Sequence, residues 1–95
     1  MSVKFEWDPK KANANFSKHG VSFEEAMTMF SDPLARIFRD ELHSTEEQRE
    51  IIIGHSSRQQ LLLVSFTVRE TTIRILSARE TTAQERKDYE ENSEF

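Results

Sequence analysis

The chain has 95 residues, no cysteine and a net charge of −4, which suits one domain over residues 1–95 that buries about 60–70% of its unfolded surface in one modest core. Without cysteine there is no disulfide framework and no thiolate metal site, and no stretch approaches the roughly 20 apolar residues of a membrane span. The opening segment lacks the apolar core of a secretory signal, so a soluble cytoplasmic protein is expected.

Val3 to Trp7 alternates apolar and charged residues and predicts a short strand. Asp8-Pro9 predicts a helix start, with Asp as N-cap and Pro at the first helical position. That helix runs to about Lys18, and Gly20 supplies a left-handed stop beside His19. Ser22 and Glu25 match a capping box, with Val21 and Ala26 as a hydrophobic staple. Phe23, Ala26, Met27 and Phe30 then fall at i, i+3, i+4 and i+7, a core-facing stripe. Asp32-Pro33 ends this second helix.

Leu34 to Leu42 reads as a weaker strand and His43 to Gln48 as a polar loop. Ser44 to Glu47 also matches a capping box, but no helical apolar run follows it. Arg49 to Ser56, with three successive isoleucines, predicts a strand buried on both faces. Ser57 to Gln60 turns the chain into Leu61 to Arg79, two β-branched runs around a polar turn, which predicts an antiparallel hairpin. A two-residue turn at Glu70-Thr71 sets Val68 opposite Ile73, Phe66 opposite Ile75 and Val64 opposite Ser77. Leu62, Val64, Phe66, Val68, Ile73 and Ile75 then share the core face, and Arg69 and Arg74 the other. In this register Arg79 has the opposite parity and faces Leu62, about 23 Å from Arg69 at ~3.3 Å per residue, so the two arginines meet only across a bulge or strong curvature. Thr82 and Glu85 cap a last helix from Ala83 to about Asn92, whose one large apolar residue is Tyr89; Ser93 to Phe95 is expected to fray. The order β-α-α-β-β-β-β-α predicts an α+β fold, a four-stranded antiparallel meander with helices before and after.

Charge is unevenly spread. Residues 1–20 carry four basic and two acidic side chains and residues 51–79 four and one, whereas residues 21–50 carry three and eight and residues 80–95 two and six. Overall acidity argues against a non-specific nucleic-acid binder, while the basic blocks allow a local anion-binding surface and the acidic ones a basic protein partner. His19, His43 and His55 lack metal-ligand spacing, and two glycines make no phosphate loop, so neither metal nor cofactor is expected. Phosphodiester chemistry remains. Cleaving RNA without metal requires activating a 2′-hydroxyl, stabilising charge on phosphorus and protonating the departing oxygen. Arginine suits the second task, because its planar fork binds phosphate oxygens and stays charged. Arg69, Arg74 and Arg79 are candidates on a stiff hairpin, with Lys10, Lys11 and Lys18 as backbone contacts and Trp7 or Tyr89 as stacking platforms. Arg74 equally suits a pair with Glu70 or another carboxylate, His19 a helix-end cap, and Trp7 and Tyr89 core or helix-docking positions.

The motifs F-E-W-D-P-K-K-A at 5–12, K-H-G-V-S-F-E-E-A at 18–26, F-S-D-P at 30–33, H-S at 43–44, I-R-I-L-S-A-R at 73–79 and E-R-x-x-Y at 85–89 resemble, in this order, the BrnT family of toxins. The resemblance implies a RelE-like fold and a ribosome-independent ribonuclease that arrests bacterial growth. It also implies neutralisation by a BrnA-type ribbon-helix-helix antitoxin that carries the complex to operator DNA. Carried across, Trp7, His19, Arg69, Arg79 and Tyr89 take the family's positions, with phosphate stabilisation for the arginines and proton transfer for His19 or Tyr89. Arg69, Arg79, His19 and Tyr89 are thus the catalytic candidates, and Trp7, Lys11 and Arg74 the substrate-binding ones. The family often places glycine at the hairpin tip and after the preceding S-S; here those places read Glu70-Thr71 and Arg58-Gln59, so the tip conformation is not carried over. Two other readings stand beside the toxin: a non-catalytic module that acts with a DNA-binding, antitoxin-like partner in operon repression, and a housekeeping RNA-binding domain, which the net charge disfavours.

Overall fold

A computed structural model describes residues 3–40 and 48–91. In chain order it forms β1 (Lys4–Glu6), α1 (Pro9–His19), α2 (Phe23–Thr28), β2 (Arg36–Arg39), β3 (Arg49–His55), β4 (Leu61–Arg69), β5 (Thr72–Glu80) and α3 (Ala83–Glu90). The readings made for His43 and its loop up to Glu47, and for Ser93 to Phe95, lie outside the described residues. None of the described helices is long and apolar enough to cross a membrane.

Strands β2 to β5 form the expected antiparallel meander, but the sheet has five strands in the order β1-β5-β4-β3-β2. The correction lies at β1, which joins β5 in parallel through Phe5 opposite Ile73 and Glu6 opposite Arg74. Alternation marks Val3 to Trp7 as a strand but carries no information on its partner. The sheet is therefore mixed, with α1 and α2 on one face and the α+β class preserved.

The helix ends follow local chemistry. The Asp8 carboxylate accepts from the Lys10 N–H at 2.8 Å, and Gly20 (φ 72°) closes α1 by donating its N–H to the Phe16 carbonyl at 2.8 Å. In α2 only half of the expected capping box forms. Ser22 Oγ accepts from the Glu25 N–H at 3.0 Å, but the Glu25 carboxylate turns away and accepts from the Ser56 hydroxyl at 2.7 Å. Ser56 Oγ in turn accepts from the N–H of Arg58, so a nearly buried carboxylate fixes the β3–β4 turn. After Thr28 the chain tightens into a single 3₁₀ turn, Met29–Ser31. That change of phase brings Met29 into the core beside the predicted stripe, which an unbroken helical period does not foresee.

The core lies between the helices and the sheet. Val21, Phe23, Ala26 and Met29 meet Ile52, Leu62, Val64, Phe66, Ile75 and Ala78 there. Edge-to-face contacts run from Phe5 to Phe30 (5.2 Å) and from Phe30 to Phe66 (5.0 Å), and Trp7 packs against Phe23 at 5.9 Å. Ile52 and Ile53 are both buried although they point to opposite faces, as the isoleucine run predicts. Gly54 sits where the chain before β2 crosses closely: a Cβ there would lie 2.8 Å from Ala35 Cβ.

The hairpin register holds at its tip end, with Val68 opposite Ile73 and Phe66 opposite Ile75, and fails beyond it. A bulge at Leu76 leaves Ser65 opposite Ser77, Val64 opposite Ala78 and Leu63 opposite Arg79. One extra residue reverses parity. Ala78 replaces Ser77 as the core-facing residue, and Arg79 moves to the face that carries Arg69 and Arg74.

Two non-glycine residues adopt left-handed backbone, Gln59 (φ 63°) and Glu70 (φ 55°). They fall in the two segments where the family that the chain resembles often places glycine. Left-handed backbone costs a side-chain-bearing residue about 1–2 kcal/mol, part of which glycine returns through its freer unfolded chain. Gln59→Gly and Glu70→Gly are each expected to raise unfolding stability by about 0.5–1 kcal/mol, read as a higher urea midpoint at constant m. A lower midpoint in both would mean that these side chains hold the turns by contacts rather than merely fit them.

Candidate functional site

The face of the sheet away from α1 and α2 is where the hairpin arginines gather. Successive rows across this open face run Arg36-Ile53-Leu63-Arg79, then Phe38-Ile51-Ser65-Ser77, then Arg49-Thr67-Arg74-Glu6, with Arg69 beside Thr72 and Lys4 beyond. Each row shares one side because directly opposed residues on a pleated sheet point the same way. Helix α3 lies over the end of this face. Its Glu85 reaches Arg79 on β5, and its Tyr89, one turn on, lies at a groove shared with Leu34 and Arg36.

Between α3 and the middle strands runs a groove of about 460 Å³, lined by Phe38, Asp40, Arg49, Ile51, Ser65, Ser77, Arg79 and Glu85 among others. It holds two cations, two carboxylates and an aromatic ring over an apolar floor. Arg79 donates through Nη1 and Nη2 to the two Glu85 oxygens at 2.8 and 3.0 Å, and through Nη1 to the Glu80 carbonyl at 3.1 Å. Glu85 is fixed a second way. It completes the capping box of α3, its Oε1 accepting from the Thr82 N–H at 2.8 Å while Thr82 Oγ1 accepts from the Glu85 N–H at 3.1 Å. The hydrogen bond from Arg79 holds the Glu85 carboxyl below its ordinary value of 4.5 against the opposing effect of burial, and the same bond raises Arg79.

A carboxyl depressed in the folded state contributes its stabilisation above the unfolded value, about 4.5, and loses it as pH falls through the lower folded value. Glu85→Gln is therefore expected to flatten the loss of stability between pH 5 and pH 2, compared by urea unfolding with the parent. An unchanged acid slope would show that the pair contributes nothing to the folded state.

The other predicted site residues spread over the molecule. Arg74 pairs with Glu6 at 2.6 Å, its neighbour on β1, so the carboxylate that meets it is Glu6 rather than Glu70. Arg69 lies at the hairpin tip on the open face; Leu63, the partner of Arg79, is about 20 Å from it along β4 at ~3.3 Å per residue. The bulge thus brings the two arginines onto one face without bringing them together. Trp7, Lys11 and His19 lie in the helix layer on the opposite side. Trp7 packs on Phe23, Lys11 is exposed on α1, and His19 is its last residue.

Tyr89 donates its hydroxyl to the Leu34 carbonyl at 3.1 Å and stacks edge-on against His55 at 5.8 Å. Burial, then the Asp32 carboxylate, raises the phenol above its ordinary value of 10.0. Asp32 opposes its own burial by accepting from the N–H groups of His55 (2.8 Å) and Leu34 (2.9 Å), which together hold it below the usual carboxylate value. F-S-D-P thus reads as a clamp that ties the end of the 3₁₀ turn to β3. Phe38, Asp40, Arg49 and Glu85 were missed as site residues from sequence. Glu85 alone carried a signal, as the cap of α3. Among the described residues no cluster of histidine, aspartate and glutamate could hold a metal ion.

Comparison with known proteins adds a family. The model of a family described as "Ribonuclease toxin, BrnT, of type II toxin-antitoxin system" matches residues 7–85. A comparison with curated proteins finds no match. Among solved structures the fold is similar to the Brucella abortus ribonuclease toxin BrnT, with a TM-score of 0.66 and 23% sequence identity over 85% of this chain and 99% of that one. The structural likeness carries the fold and the family match carries membership: this chain belongs to the BrnT family of ribonuclease toxins of type II toxin-antitoxin systems.

Proposed function

We propose that this chain cleaves RNA without a metal ion, that the RNA lies along the open face of the sheet, and that cleavage takes place in the groove at Arg79. The reading rests on one observation above the others: the bulge at Leu76 turns Arg79 onto the face of Arg49, Arg69 and Arg74, beside Phe38. A backbone that tracks this face meets cations at intervals of several ångströms, and an unstacked base can lie on Phe38. Arg79 stabilises the charge on phosphorus; Arg49, Arg74 and Arg69 align the strand. In the cell the reading implies growth arrest, cytoplasmic action, and neutralisation by a ribbon-helix-helix, BrnA-type antitoxin through which alone the complex meets operator DNA.

Incubating the purified protein with single-stranded RNA in excess EDTA tests this. Fragments ending in 2′,3′-cyclic phosphate are expected, with 2′-O-methyl RNA left intact. RNA that survives a folded protein which still binds its antitoxin tightly would favour the alternative, a non-catalytic module of a repressor complex.

A further inference from the structure

Arg79 and Glu85 form a partly solvated charge pair at the groove, and their geometry leaves specific valences open. A guanidinium has five N–H donors. Among the described residues Arg79 directs two to Glu85 and one to the Glu80 carbonyl, so two remain for a phosphate. The two oxygens of Glu85 are unequal. Oε1 accepts from both Arg79 and the Thr82 N–H, whereas Oε2 accepts from Arg79 alone among the described residues. The carboxylate is therefore held by a helix cap on one side and an arginine on the other, with one oxygen able to accept a further proton. Asp40 is, among the described residues, the other carboxylate of the groove. Among the described residues the groove contains no histidine; His55 sits against Tyr89 and Asp32, and His19 at the end of α1.

We infer that Glu85 is the general base of the cleavage, taking the 2′-hydroxyl proton on Oε2 while Arg79 holds the adjacent phosphate. This rests on the open-face reading and adds a second catalytic residue to it. The 2′-oxygen forms a bond to phosphorus as its proton passes to Glu85. The bond from phosphorus to the 5′-oxygen breaks, the 5′-oxygen takes a proton from water, and Glu85 returns its own to water. The products are a 2′,3′-cyclic phosphate and a 5′-hydroxyl, with no net gain or loss of protons and no change of oxidation state. Arg79 serves both partners: it orients the Glu85 carboxylate through its two hydrogen bonds and presents its remaining donors to the phosphate oxygens, a division its planar fork permits and a lysine does not.

A base and a structural anchor make different predictions for the same residue. Single-turnover cleavage of RNA is followed from pH 3 to pH 8 for the parent, Glu85→Gln and Glu85→Asp, with circular dichroism confirming the fold at each pH. The parent is expected to lose activity at the acid end. Glu85→Gln is expected to be slower by about 10²-fold or more at neutral pH and to lose that acid limb, while its binding of uncleavable 2′-O-methyl RNA is not weakened. Glu85→Asp is expected to keep the limb at an intermediate rate. An anchoring role predicts instead that rate and melting temperature fall together and the limb persists in Glu85→Gln, which overturns the assignment. A folded parent with a flat acid profile overturns it without any variant, as does loss of the limb in Asp40→Asn in place of Glu85→Gln. If the parent itself leaves RNA intact, the open-face reading fails before the base is in question.

Discussion

Replacing Asn15 by alanine is expected to destabilise the fold by about 3–5 kcal/mol, a large share of the total for a small domain. The reason lies at the edge of the sheet. β1 is short and pairs with β5 only from Thr72 to Arg74. Further along, the same edge of β5 runs beneath α1, where a strand would leave polar groups unpaired in the core. The Asn15 side chain takes the place of the missing strand. Its Oδ1 accepts from the Ala78 N–H at 3.1 Å and its Nδ2 donates to the Ala78 carbonyl at 2.8 Å, with a second donation to the Val21 carbonyl at 3.0 Å. The residue is only 8% exposed, so water does not substitute. Three buried backbone groups lose their partner at once in Asn15→Ala, each at a cost of about 1–3 kcal/mol before relaxation. Asn15→Asp separates hydrogen bonding from mere bulk. Its carboxylate would face two carbonyl oxygens, which favours the protonated form and raises the folded pKa above the unfolded value of about 3.9. The penalty is then small in acid and grows as pH rises through the unfolded value. Urea unfolding of parent and variant at pH 3.5 and pH 7 should give the larger difference at pH 7. Equal differences would show that shape, not polarity, matters at this position.

Asn15 also marks the limit of what periodicity conveys. Local signals with a local cause were legible: the Asp8-Pro9 start, the Gly20 stop, the Ser22 cap, the capping box of α3, the apolar faces of α2 and the hairpin. Each depends on residues within one turn or one strand pair. What failed depended on partners distant in sequence. The Glu25 carboxylate leaves its own helix for Ser56 because a buried hydroxyl competes with the Ser22 N–H. Nothing near Val3 says that β1 pairs in parallel with β5. The bulge is the most consequential case. Ile75 and Leu76 are both apolar, so alternation through I-R-I-L-S-A-R has two solutions, and the choice is made by Ala78, whose backbone meets Asn15 from another element. A one-residue shift there decides whether Arg79 lies in the core layer or in the groove. The candidate site is legible in the sequence only as a set of arginines on a hairpin, and its place in the fold is not. Phe38 and Arg49 belong to strands that, read alone, look like ordinary sheet.

Arg79→Ala is expected to lower RNA cleavage by about 10²–10³-fold, the usual effect of deleting a donor that meets charge as it develops. The fold should tolerate the change. The Arg79–Glu85 pair is partly solvated, with the side chains 36% and 24% exposed, and such pairs contribute about 1 kcal/mol or less. Arg79→Lys sharpens the test, because it keeps the charge and loses the fork. Glu85 and a phosphate would then compete for one ammonium, and the loss should stay well above tenfold. Arg69→Ala should behave differently. At the hairpin tip, about 20 Å along β4 from the partner of Arg79, Arg69 is expected to contribute to strand alignment rather than to the reacting phosphate. Its removal should weaken binding of 2′-O-methyl RNA and reduce the salt dependence of that binding by about one phosphate contact. Once RNA is saturating, the single-turnover rate of Arg69→Ala should approach that of the parent. The two variants thus distinguish an extended track with one reactive end from a compact pocket, in which both would suppress the chemical step alike. A folded Arg79→Ala protein that cleaves normally, beside a folded but inactive His19→Ala, would move the site to the helix layer, where Trp7 and Lys11 also lie, and would leave the open face to the antitoxin.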